Sequence, residues 1–80
     1  MIITVNFYGA FRAFGKQVSL NLEPQASVQT IKRVLIEHLG EEQKNLVEDS
    51  VFANEADILQ DNFIIANTCT LSILPPVCGG

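Results

Sequence analysis

The sequence predicts an α+β fold in which one helix packs on one face of a mixed sheet. Residues 2–8 and 17–22 alternate apolar and polar side chains, which is typical of strands with one buried face. Residues 28–39 repeat apolar side chains at spacings of three and four, which is typical of an amphipathic helix. Short β-type segments follow the helix, so the chain order is strand, strand, helix, strands. This order favours an α+β roll.

The first two strands are expected to form an antiparallel hairpin, because only the short connection 9–16 separates them. Phe11 and Phe14 lie in that connection, and we expect both to cover one end of the core. The strand side chains predicted to face the core are Ile3, Val5, Phe7, Val18, Leu20 and Leu22.

The helix has a start signal and a stop signal. Ser27 is predicted to be its N-cap, since a serine hydroxyl accepts a hydrogen bond from the first helical amides. Gly40 follows the last apolar position, where glycine commonly ends a helix. Residues 41–50 are acidic and polar around Leu46 and Val47, so we expect a surface segment that could contain one more helical turn. The apolar stripe of the helix contains Val28, Ile31, Val34, Leu35 and Leu39.

Short strands are expected to complete the sheet, with a tight turn at residues 54–57. Alternation in the last strand places Cys69, Leu71 and Ile73 on one face. Because there is no repeat and no linker, we predict one domain over residues 1–74 and an extended tail over residues 75–80. The predicted strands are 51–53, 58–59 and 68–74.

Composition and charge argue against several function classes. Hydrophobic residues make up 48% of the 80 residues, which is normal for a globular domain. Five Lys and Arg against nine Asp and Glu give a net charge of −4, which disfavours binding to nucleic acid or anionic membranes. One histidine and two cysteines suggest neither a metal site nor an independent enzyme. No leader-like or membrane-spanning segment is evident, so we expect a cytoplasmic protein.

The tail has the sequence Pro-Pro-Val-Cys-Gly-Gly. The prolines lack amide hydrogens, so the strand ladder cannot continue through them. They favour a polyproline II conformation, in which six residues reach about 19 Å at ~3.1 Å each. Gly79 and Gly80 have no Cβ, so this end of the chain is slim enough to enter a narrow channel.

The carboxylate of Gly80 is the candidate reactive group. An α-carboxyl group titrates at about pH 3.3–3.7, so it is ionised at neutral pH and is a poor electrophile. It would need activation, for instance as an acyl-adenylate, before a nucleophile could attack it. A frayed end is the alternative explanation for a terminal Gly-Gly. A Pro-Pro-x-x-Gly-Gly terminus directly after a core strand is more specific and favours an acyl carrier.

Residues 74–80 resemble the C-terminal signature of the small subunit of molybdopterin synthase, a ubiquitin-like sulfur carrier. Residues 11–15 (Phe-Arg-Ala-Phe-Gly) resemble the apolar-Arg-x-apolar-Gly turn of that family, and the helix ends in His38-Leu39 as expected for it. Cys78 stands where the family more often has a small residue.

The resemblance implies a ubiquitin-like β-grasp fold and a sulfur-transfer cycle. A ubiquitin-activating-like adenylating enzyme would consume ATP to adenylate Gly80, and a sulfur donor protein would convert the adenylate to a thiocarboxylate. The tail would then donate sulfur in the active site of the large, catalytic subunit, forming the dithiolene of molybdopterin. The chain would be a non-catalytic subunit with no permanently bound cofactor.

An apolar patch beside the start of the tail is expected to dock the partner. Alternation places Phe52 and Leu74 opposite their core neighbours, so we predict both on the outer face of the sheet, where Val77 would join them. A loop around residues 63–66 covering Phe52 is the alternative. The predicted partner-binding residues are Phe52, Leu74, Pro75, Pro76, Val77 and Cys78.

Other functions fit the same sequence. A sulfur carrier for thiamine or cysteine synthesis would use the same chemistry, and a ubiquitin-like modifier would join Gly80 to target lysines. An interaction module that binds through a sheet edge would not need the tail. Of the remaining side chains, we expect Cys69 to be a small buried hydrophobe and His38 a partly buried structural residue. Arg12 could dock a partner or bond local carbonyls.

Overall fold

The computed structural model describes residues 1–76. Its helices are α1 (Val28–Leu39) and α2 (Lys44–Glu48), and single 3₁₀ helices span Gly9–Phe14 and Glu41–Gln43. In chain order, its strands are β1 (Ile2–Phe7), β2 (Gln17–Asn21), β3 (Ala26–Ser27), β4 (Val51–Ala53), β5 (Ile58–Leu59), β6 (Ile64–Ile65) and β7 (Cys69–Leu74).

Five of these strands form one mixed sheet in the order β2-β1-β7-β4-β5. The β1–β2 hairpin is antiparallel, as predicted, and β1 runs parallel to β7. Strand β4 is antiparallel to both β7 and β5. The last strand therefore lies in the middle of the sheet, with a hydrogen-bonded neighbour on each side. The predicted α+β class is confirmed.

The core lies between the sheet and α1, and the alternation in the sequence identifies most of it. The three core-facing residues of β1 are at most 1% exposed. Burying an aliphatic or aromatic side chain of this kind stabilises the fold by about 1.5–3 kcal/mol. The sheet and α1 residues that are at most 4% exposed include Ile3, Val5, Phe7, Leu20, Phe52, Leu71, Ile73, Val28, Ile31 and Leu35.

The N-terminus of α1 is capped by a side chain and by a distant loop. Ser27 Oγ accepts the amide hydrogen of Thr30 at 3.1 Å, which confirms the predicted N-cap. The two amides before Thr30, those of Val28 and Gln29, have no partner within the helix. They donate to the carbonyls of Phe63 and Asp61, both at 2.9 Å. The first amides of the helix thereby gain partners that the helix itself cannot supply. At the other end, Gly40 has φ 112° and ends the helix.

Lys32 is buried although it carries a charge. Its side chain is 8% exposed, and Nζ lies 2.9 Å from Asp61 Oδ1 and 3.4 Å from the carbonyl oxygen of Glu48. The Asp61 side chain is 60% exposed. The ion pair joins the middle of α1 to the segment that caps its N-terminus. The hydrogen bond to Glu48 joins it to the end of α2.

Two expectations for side-chain burial, those for Phe14 and His38, are wrong. Residues 9–14 form a 3₁₀ helix that buries Phe11, whereas Phe14 is 37% exposed at the point where the chain turns through Gly15 into β2. Phe11 stacks on Phe7 with ring centroids 6.0 Å apart, which holds it in the core. His38 is exposed, whereas a partly buried position is expected from the sequence.

Candidate functional site: the root of the tail

The candidate site lies at the end of β7, where the strand ladder stops. Leu74 is the last residue of the strand and pairs with Val51 of β4, and Pro75 and Pro76 follow it outside the ladder. The ladder ends where proline removes the donors, as predicted. Leu74, Pro75 and Pro76 are half-buried. We call Gly9, Leu74 and Pro75 the tail root, because they meet where the tail begins.

Gly9 and Pro75 meet because β1 and β7 are parallel. Phe7 lies opposite Ile73 in the ladder, and continuing this register by two residues brings Gly9 beside Pro75. A Cβ atom built on Gly9 would lie 2.7 Å from Cγ of Pro75, closer than real Cβ contacts allow. Gly9 also has φ +56°, a left-handed conformation that glycine adopts without penalty. The proline ring therefore packs on the bare backbone of Gly9.

The 3₁₀ helix next to the tail root is held in place from two sides. Phe11 is fully buried, and its amide donates to the carbonyl of Tyr8 at 3.1 Å. Arg12 Nε donates to the carbonyl of Phe7 at 2.8 Å, and its guanidinium carbon lies 5.9 Å from the centre of the Tyr8 ring. Arg12 thus bonds a local carbonyl, one of the two roles expected for it.

An apolar patch lies on the outer face of the sheet beside the tail root. Leu74 points away from the core because its neighbour Ile73 is fully buried. Val51, its partner in the ladder, is 38% exposed, and the β1–β7 register places Tyr8, 41% exposed, on its other side. Directly paired residues share a face of the sheet and lie close together. Tyr8, Val51 and Leu74 are named the outer patch below.

The predicted exposure of Phe52 is wrong. Phe52 is 0% exposed and lies in register with Ile73 on one side and Leu59 on the other, all facing the core. A shift of one residue moves a side chain to the other face of a strand. Val51 therefore takes the outer position expected for Phe52. Leu74 lies on the outer face, as predicted.

The site predictions for Val77, Cys78, Gly79 and Gly80 fall outside the described residues. The other cysteine, Cys69, is half-buried beside Ile3 on the core side of β7. Burial raises the pKa of the Cys69 thiol, so the thiol is held in its protonated, weakly nucleophilic form at neutral pH. This agrees with the expectation of a small hydrophobe at this position.

A groove elsewhere in the domain does not include the tail root. A groove of about 700 Å³ lies between α1 and α2, and its lining includes Lys32, Arg33 and Lys44 but no residue of the tail root or the outer patch. Over residues 1–76, no group of three His, Cys, Asp or Glu side chains is placed to hold a metal ion. Within the same residues, no helix has the length and apolar character needed to span a membrane.

Comparisons with known proteins identify the fold. No protein-family model matches the chain, and no curated protein sequence matches it significantly. The crystal structure of SAMP1 from Haloferax volcanii, a ubiquitin-like β-grasp protein, superposes with a TM-score of 0.80 at 13% identity, covering 100% of both chains. This likeness shows the fold, and the predicted ubiquitin-like β-grasp is confirmed. Since 135 solved chains match, the fold alone does not select a reaction.

Proposed function

We propose that this protein is a sulfur carrier whose C-terminal Gly80 is activated and then donates sulfur, with a molybdopterin synthase large subunit as the receiving enzyme. One observation carries the proposal. The central strand of a β-grasp fold runs directly into the sequence Pro-Pro-Val-Cys-Gly-Gly. The specific pathway rests on the resemblance of residues 74–80 to the small subunit of that enzyme.

The central position of β7 suits a carrier. The tail that bears the transferred group must reach another protein while the domain stays folded. Hydrogen-bonded ladders hold β7 on both sides, with β1 as far as Ile73 and with β4 as far as Leu74. Beyond Leu74, six extended residues can span about 19 Å at ~3.1 Å each. A glycine pair at the end of such an arm can enter a channel that any side chain would block.

The chemistry proceeds by activation followed by displacement. A carboxylate oxygen of Gly80 attacks the α-phosphorus of ATP, and pyrophosphate leaves, giving an acyl-adenylate. The outer sulfur of a persulfide on the donor protein then attacks the acyl carbon, and AMP leaves, giving an acyl disulfide. A thiol reduces its S–S bond, so that the thiocarboxylate of Gly80 is released and the thiol forms a disulfide with the donor cysteine. Unactivated carboxylate cannot react in this way, since it is ionised at neutral pH. The adenylating enzyme supplies the catalytic groups for activation, and the carrier supplies the acyl carbon that is activated.

The outer patch is the surface that we assign to docking. Tyr8, Val51 and Leu74 present apolar side chains beside the start of the tail, so a partner that binds them would receive the tail at the same time. Ile58 on β5, 66% exposed, extends this apolar surface towards the edge of the sheet. The net charge of −4 would favour receiving surfaces that are basic.

Intact-mass analysis tests the proposal. The chain with an untagged C-terminus is incubated with ATP, an adenylating enzyme and a sulfur donor, with a variant lacking Gly80 as the control. We expect the mass increase for replacing one oxygen by sulfur, located at Gly80 by fragmentation and absent in the variant. The proposal fails if a related carrier is converted under the same conditions and this chain is not.

Three further observations separate the alternatives. Gly80 recovered in isopeptide linkage to lysines of other proteins would support a ubiquitin-like modifier instead. Restoring a strain that lacks molybdoenzyme activity through loss of its own carrier would support the molybdopterin branch over thiamine or cysteine synthesis. Full activity without Gly79 and Gly80 would favour a plain interaction module.

A further inference from the structure

We propose that Gly9 is a positioning residue that sets the direction in which the tail leaves the domain. The ring of Pro75 rests on the bare α-carbon of Gly9, and any side chain there would displace it. The effect on group transfer rests on the proposed function, whereas the contact itself does not.

The distances show which atoms of the proline would collide. A Cβ on Gly9 would lie 2.7 Å from Cγ of Pro75, 3.5 Å from Cδ and 3.9 Å from Cβ. Only the contact with Cγ is impossible, because 3.4–4 Å is ordinary van der Waals separation. The conflict thus comes from the proline ring and would disappear if alanine replaced Pro75.

Gly9 cannot easily yield to relieve such a collision. The chain after it is fixed by the buried ring of Phe11, and the chain before it by the bond from Arg12 to the carbonyl of Phe7. Relief would therefore come from movement of Pro75.

A change of ring pucker moves Cγ by only a few tenths of an ångström to about 1 Å, and any further displacement of the ring moves the backbone, since the ring includes the backbone nitrogen and Cα. For an arm of ~19 Å, the reach that six residues in a polyproline II conformation would have, a change of about 3° at its root would displace its end by about 1 Å. In group-transfer reactions, a misplacement of ~1 Å can cost about a hundredfold in rate. A small shift at Pro75 is thereby amplified at Gly80.

The chain offers matched controls for backbone strain. Gly15 and Gly40 also have positive φ, at +121° and +112°, and a Cβ at either position would meet nothing within 4 Å. Alanine at these two positions strains the backbone without a collision. Alanine at Gly9 adds the collision with Pro75.

The experiment compares wild type with Gly9→Ala, Gly15→Ala, Gly40→Ala, Pro75→Ala and the double variant Gly9→Ala/Pro75→Ala. The readouts are the kcat/KM for ATP-dependent activation of Gly80 and the thermal midpoint of unfolding. We expect Gly9→Ala to lower kcat/KM about five- to thirtyfold, and Gly15→Ala and Gly40→Ala to stay within about twofold of wild type. The double variant should match Pro75→Ala alone, because the colliding ring atoms are gone.

Two results would overturn the inference. One is a decrease in kcat/KM for Gly9→Ala that is no greater than the decrease for Gly15→Ala. The other is that Gly9→Ala lowers kcat/KM by the same factor whether residue 75 is proline or alanine. The collision with the proline ring would then have no role.

An NMR measurement separates this inference from the proposed function. Nuclear Overhauser contacts between the α-hydrogens of Gly9 and the ring hydrogens of Pro75 are expected in the wild-type chain. Their absence overturns the seating of the ring, whatever the activity. If the contacts are present and Gly80 is never activated, the proposed function fails and Gly9 has no role in transfer.

Discussion

The tail root and the N-terminal half of α1 are stabilised in different ways. The tail root depends on shape, with a proline ring on a glycine and an exposed apolar patch beside it. The start of α1 depends on polar contacts, from the Ser27 cap to the Lys32–Asp61 ion pair. The difference teaches that the contacts of shape around the start of the tail and the polar contacts around the start of α1 lie in separate parts of this small domain. Changes at one region should leave the other largely unaffected.

The largest expected effect is a loss of transfer activity, without a loss of stability, when the end of the tail is changed. Adding one residue after Gly80 should lower transfer at least a hundredfold, because the added residue replaces the reactive carboxylate with an amide and lengthens the arm. The thermal midpoint of unfolding should not change. Transfer is followed by intact mass, and an extended chain that stays active would contradict the carrier proposal.

A second test compares two adjacent residues at the edge of the tail root. Phe52→Ala should lower the free energy of unfolding by about 3–5 kcal/mol, because the ring is fully buried and leaves a cavity. Val51→Ala, one residue earlier on the opposite face, should cost less than about 1 kcal/mol. Urea denaturation of both variants measures the difference, and equal losses would mean that the two faces of β4 are assigned wrongly.

The polar region is tested through its ion pair. Asp61→Asn should lower the free energy of unfolding by about 1–2 kcal/mol, since it leaves the buried ammonium of Lys32 without its counter-charge. The loss is smaller than for a fully buried pair because the Asp61 side chain is 60% exposed. Asp57→Asn, at an exposed position in the same part of the chain, is the control. Transfer activity of both variants should match wild type at temperatures where they are folded.

The smallest expected change concerns docking. Val51→Glu should weaken binding to the receiving subunit about tenfold, or ~1.4 kcal/mol, because it places a charge in the outer patch. Thr70→Glu adds the same charge on the same face of the sheet but away from the patch, so it should bind nearly as wild type does. Calorimetric titration measures both affinities. Equal weakening by the two variants would count against the patch.

Much of the fold could be predicted because its signals are local. Alternation identified the buried faces of β1, β2 and β7, and the 3-and-4 spacing together with Ser27 identified α1 and its start. The end of β7 at Leu74 followed from the prolines. Strands β3 and β6 have two residues each, which is too short for any periodicity to appear.

The features that the sequence did not reveal depend on distant residues. Val-Phe-Ala is apolar throughout, so alternation cannot say which of Val51 and Phe52 faces the core until β7 sets the register. A lysine on a helix normally indicates a solvated position, and only the distant Asp61 explains the burial of Lys32. The seating of Pro75 on Gly9 likewise requires the parallel pairing of β1 with β7. In the sequence, Gly9 lies before a short helix and Pro75 follows the last strand. Neither position indicates that the two residues are in contact.

The central position of β7 also has a mechanical consequence. A partner that pulls on the tail would apply force along the axis of β7, so the ladders with β1 and β4 would be loaded in shear at the same time. Many interstrand hydrogen bonds then share the load, whereas an edge strand pulled sideways would release its bonds one by one. In the proposed carrier cycle, a partner would therefore be able to withdraw or insert the tail without extracting the strand that carries it.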